Sequence, residues 1–438
     1  MAFSLHGVHV PHRKHTDGMP AVIMPTPQTV TIPMSMHIGA PATAVVKVGD
    51  HVDIGTLIAE QSGFVSSPIH ASVSGTVKAI ASQLQVSGQT VPTVVIESDG
   101  QDTVDASIAP PTVTSKEELI EAIRQSGIVG LGGAGFPTYV KFNVDPGRVQ
   151  ELIINGAECE PYITSDSLTM VERADDMAYA LHMLETYMGI KKVIIGIENN
   201  KKAAIAQMKK LSAQDACVTV KTLPAVYPQG GEKVLVYHTT GKVIPVGKLP
   251  IDVGCIVCNC TTVAEIGRYL KTGLPLTKKC ITVDGSAVAA PKNVIVPIGT
   301  AMQDVFEFCG GFQAQPGKVL YGGPMMGVAV TDLSAPVLKN TNAILALNQK
   351  EAAPAKTTAC IRCGRCYNQC PFGINPAALA RAYDAGDTEA MERIGADACM
   401  ECGCCSFVCP AKIPLVQTNK LAKAALKAAR DAAKSKEA

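Results

Sequence analysis

Cys360-Ile361-Arg362-Cys363-Gly364-Arg365-Cys366-Tyr367-Asn368-Gln369-Cys370-Pro371 is matched further on by Cys399-Met400-Glu401-Cys402-Gly403-Cys404-Cys405-Ser406-Phe407-Val408-Cys409-Pro410. Both runs have the spacing C-x2-C-x2-C-x3-C with Pro next, the pattern of a protein holding two [4Fe–4S] clusters. Three closely spaced thiolates wrap one face of a cubane, and the fourth reaches the neighbouring cluster. The expected sets are therefore Cys360, Cys363, Cys366 and Cys409 for one cluster, and Cys399, Cys402, Cys405 and Cys370 for the other. Zinc takes four ligands in tetrahedral pairs, which a repeated triplet does not supply. Between the runs, Pro376 to Ile394 reads as helix, with Ala377, Leu379, Ala380, Ala382, Met391 and Ile394 as apolar positions. This predicts an α-helical ferredoxin domain, with Cys404 as a thiol outside the ligand set.

Upstream of the runs, strands and helices alternate. Glu151 to Asn155, Lys192 to Ile197 and Val218 to Lys221 have strand character, and Met177, Leu181, Leu184 and Met188 form one apolar helical stripe between the first two. Such alternation predicts a largely parallel sheet covered on both faces. On either side lie Gly-broken short strands: Ala44 to Asp50 and Ser74 to Ile80 in an N-terminal β module, and a second β-rich stretch from Lys279 to about Val328. The predicted fold is multidomain α/β. Its divisions are 1–110, 111–278, 279–341, 342–420 (helical, with the cysteines) and a basic tail, 421–438. In that tail Lys423, Lys427, Arg430, Lys434 and Lys436 outnumber Asp431 and Glu437, giving either a solvated surface helix or an arm for an acidic partner.

The 438 residues suit about three domains of ~150 residues. A net charge of +1 and 4% aromatic content give no footing for nucleic acid. No run of about 18 apolar residues is present to span a bilayer. The first twenty residues lack the apolar segment of a secretory signal, so the 16 cysteines point to metal or redox chemistry in a reducing cytoplasm.

Gly130-Leu131-Gly132-Gly133-Ala134-Gly135 matches G-x-G-x-x-G, yet follows a helical stretch, Glu117 to Gln125, where a dinucleotide fingerprint follows a strand. A loop of small residues still lets the backbone close on a phosphate or a flat ring, with Lys141 as a compensating charge. The next strand ends in Asn155-Gly156-Ala157-Glu158-Cys159-Glu160-Pro161. That is the end at which open α/β sheets bind ligands, and its polar groups suit a ribityl chain, a ribose or a flavin edge. The competing reading is a turn with surface carboxylates.

Gly130 to Lys141, the Asn155–Pro161 run and Tyr227-Pro228-Gln229-Gly230-Gly231-Glu232 resemble the FMN- and NADH-binding subunit of respiratory complex I. The whole chain is more similar still to the C-subunit family of the Rnf complexes, which are ion-translocating ferredoxin:NAD oxidoreductases. That resemblance takes in His6-Gly7-Val8-His9, His37-Ile38-Gly39-Ala40-Pro41, Gly49-Asp50, Val253-Gly254-Cys255-Ile256-Val257 and both cysteine runs. It implies FMN held by Gly130, Gly132, Gly133, Gly135, Lys141, Asn155, Glu158, Tyr227, Gly230, Asn259 and Thr262, and NAD(H) stacked on Phe136 with Glu160 and Glu232 near its ribose or amide. It further implies an N-terminal barrel-sandwich module, a Rossmann-like FMN/NADH domain and a β-grasp module of the soluble-ligand-binding type. Membrane subunits and a ferredoxin-type subunit would be the partners, at the cytoplasmic face of the membrane, moving Na⁺ or H⁺.

Departures from complex I are specific: Ala157 stands where those subunits carry an acid, and Gly231 where they carry a Glu. The N-terminal module resembles biotinyl and lipoyl carriers, but its expected hairpin tip, Ser67-Pro68-Ile69-His70-Ala71-Ser72, has no Lys to modify. A docking or structural role follows. Alternatives are a soluble NADH-linked flavoprotein, as in bifurcating hydrogenases, or an iron–sulfur relay without flavin. His6, His9, His12 and His15 recur every third residue, and Gly7 and Pro11 favour a surface strand over a metal ladder. Cys255, Cys258, Cys260 and Cys280 form either a third metal site or ordinary buried thiols.

Overall fold

The computed structural model describes residues 7–86 and 88–437, and side chains as far as residue 433; His6 and the side chains of Lys434 and Lys436 lie outside what it describes. Its centre is a four-stranded parallel sheet in the order Val218–Leu223, Val193–Glu198, Glu151–Gly156, Cys255–Asn259. Val193–Glu198 is buried at every position, as a parallel strand with helices on both faces must be. The predicted stripe Met177, Leu181, Leu184 and Met188 lies in the helix Ala174–Met188 and is 0–1% exposed. This helix packs on Cys260–Thr272, and the contact is close because a Cβ on Gly267 would sit 1.9 Å from the Asp176 carbonyl oxygen.

The N-terminal module is a pair of small antiparallel sheets. One runs Thr29–Pro33, Thr90–Ser98, Gly75–Leu84, His51–Val52, and the other Thr43–Ala44, Leu57–Glu60, Ile69–His70. Of residues 44–50, expected as one strand, only Ala44 is in one; the rest connect Thr43–Ala44 to His51–Val52, turning at Gly49 with φ +95. Ser67 to Ser72 is no exposed tip. All six residues are buried, and Lys339 Nζ donates to the Pro68 and Gly127 carbonyls at 2.6 and 2.7 Å.

The third module needs strands from outside 279–341. Its sheet runs Ala21–Ile23, Lys292–Pro297, Lys278–Asp284, Ala343–Asn348, Pro316–Tyr321, Val328–Val330. Ala343–Asn348 sits between two other strands, so the boundary at 342 is corrected: the helical block begins after it. A short apolar run does not by itself distinguish helix from strand, and Ala343 to Leu345 is resolved by pairing with Thr282 to Asp284.

In the C-terminal block, 376–394 forms two helices, Pro376–Asp384 and Thr388–Ile394, broken where Gly386 takes φ +67. The expected separate tail is part of the helix Leu415–Glu437. It buries Ala422 and Leu426 against Ile374, Leu379 and Met391, while Lys423 pairs with Glu401 and Arg430 with Glu392 and Asp397. No described helix is long and apolar enough to cross a membrane.

Candidate functional site

Asn155 and Asn259 end two adjacent parallel strands and stand in register. Asn259 then caps the helix that follows, its Oδ1 accepting the amides of Thr261 and Thr262 at 3.0 and 3.3 Å. Its Nδ2 donates to Asp166 Oδ2 at 2.7 Å, and Asp166 also accepts from Thr261 Oγ1 at 2.6 Å. The Gly-rich loop lies over this end of the sheet. The Leu131 amide donates to Thr262 Oγ1 at 3.0 Å, and Gly130 N to the Phe136 carbonyl at 2.8 Å. A Cβ on Gly132 would stand 2.3 Å from Asn259 Nδ2, so any side chain here displaces the Asn259 amide. Gly133 faces open space and Gly135 adopts φ +70. Leu131 is the anchor of the loop, fully buried, while Gly132, Gly133 and Ala134 are exposed.

Lys141 Nζ donates to the Val257 carbonyl at 2.8 Å and stands 3.8 Å from Glu232. Asn155 Nδ2 reaches the Gly230 carbonyl at 2.9 Å. The fold thus joins Gly130 to Gly135, Lys141, Asn155, Gly230, Glu232, Asn259 and Thr262 around one exposed, side-chain-poor loop at the carboxyl ends of strands. Phe136 is half-buried at the loop's exit. A flat, phosphate-bearing group fits such a place: it offers close backbone approach, amide side chains and one cation.

Three further expected contacts turn away from the loop. Glu158, at φ +49, is buried and accepts from Asp166 N at 2.6 Å and Ser167 Oγ at 2.6 Å, with Lys201 Nζ 3.0 Å away and Lys14 Nζ at 4.0 Å. Burial alone would raise its pKa, but Lys201 and Lys14 outweigh that and hold it below the ordinary value. Glu160 accepts the amides of Met325 and Met326 at 3.1 and 3.0 Å, so it holds a loop of the third module. Burial raises its pKa to about 7 despite those two donors. Tyr227 is 2% exposed, and its hydroxyl donates to the Cys402 carbonyl at 2.7 Å. It faces the second cysteine run.

Several residues here carried no signal that spacing alone could reveal. Lys14 comes from the N-terminal arm, and its Nζ donates to the carbonyls of Glu158 and Glu160 at 3.1 and 3.0 Å. Lys279 and Asn340 reach in from the third module, to the Leu131 and Gly133 carbonyls, both at 3.0 Å. Lys201 was legible, because it follows Glu198-Asn199-Asn200 at a strand's carboxyl end, where the rule applied to Asn155 applies equally.

In the C-terminal domain, Cys370 lines the same concavity as Cys399, Cys402 and Cys405, and Cys409 lies beside Cys366. Cys370 thus stands with three thiols of the second run and Cys409 with one of the first, and thiol donors are what a cubane takes. Cys404 turns its thiol toward the Tyr227 carbonyl at 3.8 Å. A Cβ on Gly231 would stand 2.5 Å from the terminal methyl of Met400, which places the second cysteine run against this turn. Among the described residues, Cys255, Cys258, Cys260 and Cys280 do not converge as a metal-binding group. Burial pushes the Cys258 thiol up to about 11 and that of Cys280 to about 12, as for inert core cysteines.

A side-chain-poor loop over a parallel sheet, joined through Tyr227 to a paired cysteine domain, defines an iron–sulfur flavoprotein of the complex I type. Family models agree along the chain: the RnfC barrel sandwich hybrid domain matches residues 3–101, the Nuo51 FMN-binding domain 123–268, the SLBB domain 280–329 and a 4Fe-4S dicluster domain 356–413. The chain belongs to the C-subunit family of the ion-translocating ferredoxin:NAD(+) oxidoreductase (Rnf) complexes. It is 44% identical to the C-subunit of the Na(+)-translocating complex from Acetobacterium woodii, over 85% of this chain and 86% of that one. Identity is 42% to the proton-translocating counterpart from Clostridium ljungdahlii, over 85% and 83%. A chain of air-oxidised NAD+-reducing [NiFe]-hydrogenase shares the fold, with a TM-score of 0.50 at 18% identity over 73% of this chain and 67% of that one.

Proposed function

We propose that this chain is the peripheral NADH- and FMN-binding subunit of an Rnf-type complex, at the cytoplasmic face of the membrane, passing electrons between NAD(H) and a ferredoxin-linked chain through two [4Fe–4S] clusters. FMN, when bound, exchanges a hydride with nicotinamide and single electrons with iron–sulfur centres. The protein's part is positional. Gly132 and Gly133 admit the cofactor to the backbone, Asn259 and Asn155 present amides in register, and Lys141 sets a positive charge beside them. Phe136 offers a face for nicotinamide, and exposed Glu232 an acceptor for ribose hydroxyls. Tyr227 ties this site to the loop of Cys399, Cys402 and Cys405, making their cluster the nearer one. Partner subunits carry out the ion movement.

The observation that carries this reading is the bond from Tyr227 to Cys402, which couples a ligand-ready loop to a cluster domain within one chain. Lys141→Ala should abolish NADH-dependent reduction of artificial acceptors while leaving iron content unchanged. Activity surviving that change would remove the loop from the mechanism.

A further inference from the structure

One buried acid at the carboxyl end of the central sheet lacks a donor. Glu198 ends the strand Val193–Glu198 and is 1% exposed, and its Oε2 takes no hydrogen bond among the described residues. A buried carboxylate oxygen without a donor is costly, and a proton on the group relieves that cost. The strand register puts Glu198 at the proposed flavin site. Gly196 pairs with Asn155 and Ile197 with Gly156, so Glu198 stands beside Ala157, which brings no acid of its own. Side chains alternate along a strand. Glu198 therefore shares the face of Gly196 and Asn155, where a Cβ on Gly196 would meet Leu235 of the helix Glu232–Thr240 at 2.8 Å. The turn at Gly230 closes over the same place, since a Cβ there would lie 3.7 Å from both Asn155 Oδ1 and the Ala157 Cβ. On the other side solvent is one residue away, because Asn199 is exposed.

Two acids and two lysines face one another here, and they are not equivalent. Glu158 takes the amides of Asp166 and Ser167, the Ser167 hydroxyl and Lys201 at 3.0 Å. Those donors keep it ionised, and the proton of the pair settles on Glu198. Burial raises the pKa of Glu198 to about 7, against the pull of Lys201 and Lys14 and with a further push from Glu158. Cys159, whose Sγ accepts from Gly230 N at 3.3 Å, also faces it, and burial together with the charge of Glu198 raises that thiol. Beyond the lysines lies exposed His12, its Nδ1 3.3 Å from Asn200 Nδ2.

We propose that Glu198 is the proton-exchanging group of the flavin site, protonated in the oxidised protein and giving up that proton as the cofactor is reduced. This assignment rests on the NADH- and FMN-binding reading above and adds a residue to it. A hydride from NADH brings two electrons and one hydrogen, so full reduction of a flavin takes up one proton more. Glu198 supplies it from its carboxyl and becomes a carboxylate, which takes a replacement proton from solvent at Asn199. When the two electrons leave singly, the two hydrogens leave as protons over the same carboxyl.

The rival account makes Glu198 a fixed anion that only balances Lys14 and Lys201. The test uses the full holo-protein, anaerobically, and has two readouts. Infrared titration of the oxidised protein should show a protonated-carboxyl band that fades as pH rises through about 7 and is missing from Glu198→Gln. In stopped flow with NADH, Glu198→Gln should bleach the flavin about 100-fold more slowly at unchanged flavin and iron content. It should also lose the fall in rate that wild type shows above about pH 7, and Glu198→Asp should restore part of the rate. Lys14→Met decides the matter if the Glu198 variants do not fold. Loss of that cation should move both the infrared band and the rate profile to higher pH. A band unchanged in Glu198→Gln, bleaching at the wild-type rate in that variant, or a Lys14→Met protein with band and profile unmoved would overturn the proposal in favour of a fixed anion. Normal bleaching in every variant counts against Glu198 alone. No bleaching in wild type itself counts against the flavin reading, and the proposal falls with it.

Discussion

Lys201→Met removes one half of the buried pair at the carboxyl end of the central sheet. Glu158 and Lys201 are 3.0 Å apart with side chains 2% and 3% exposed, a setting in which loss of one partner costs about 3–5 kcal/mol. The lower end applies, because the carboxylate keeps the Asp166 and Ser167 amides, the Ser167 hydroxyl and Lys14 at 4.0 Å. We expect about 3 kcal/mol of destabilisation at pH 7, centred on residues 155–167, read as faster amide exchange there by mass spectrometry and a lower urea midpoint. The sign with pH is set. Native Glu158 has a depressed pKa, so its contribution is complete above the unfolded carboxyl value and is lost as pH falls through the native one. The gap between wild type and variant should therefore close on acidification. A variant within about 0.5 kcal/mol of wild type at pH 7, or a gap that widens in acid, would refute the reasoning.

Gly132→Ala forces Asn259 away from the loop and should weaken FMN binding by about 1–3 kcal/mol, seen as a lower flavin-to-iron ratio after gel filtration. Tyr227→Phe removes the donor to the Cys402 carbonyl and should cost about 1 kcal/mol, seen in the urea midpoint of the holo-protein. Glu160, raised to about 7, binds its proton more tightly folded than unfolded, so its contribution is present below the unfolded carboxyl value and is lost as pH rises through 7. In Glu160→Gln the fall in stability between pH 5 and 8 should be shallower than in wild type, as measured by urea titrations across that range.

How much of this was legible depended on range. Spacing within one run of chain told the truth. The Met177–Met188 stripe follows from local periodicity, and the small-residue loop at Gly130 to Gly135 stands where its composition suggests. Long-range partners did not show. Lys14 reaches Glu160 from 146 positions away, and Tyr227 finds Cys402 across 175; nothing in either local pattern names its partner. Glu160 and Tyr227 are cofactor contacts only as the resemblance implies them, and their side chains meet Met325, Met326 and Cys402 of distant segments. Ala343–Asn348 was lost for a different reason: a brief apolar run has the same appearance in a buried strand and a buried helix.

Anaerobic titration of the purified holo-protein with NADH, after flavin and iron analysis, tests the central claim most directly. The account predicts one FMN per chain, iron for two cubanes, and bleaching of the flavin's visible band followed by reduced-cluster signals in electron paramagnetic resonance. A fully metallated chain from native cells with no FMN and no spectral response to NADH would contradict it, leaving an iron–sulfur relay.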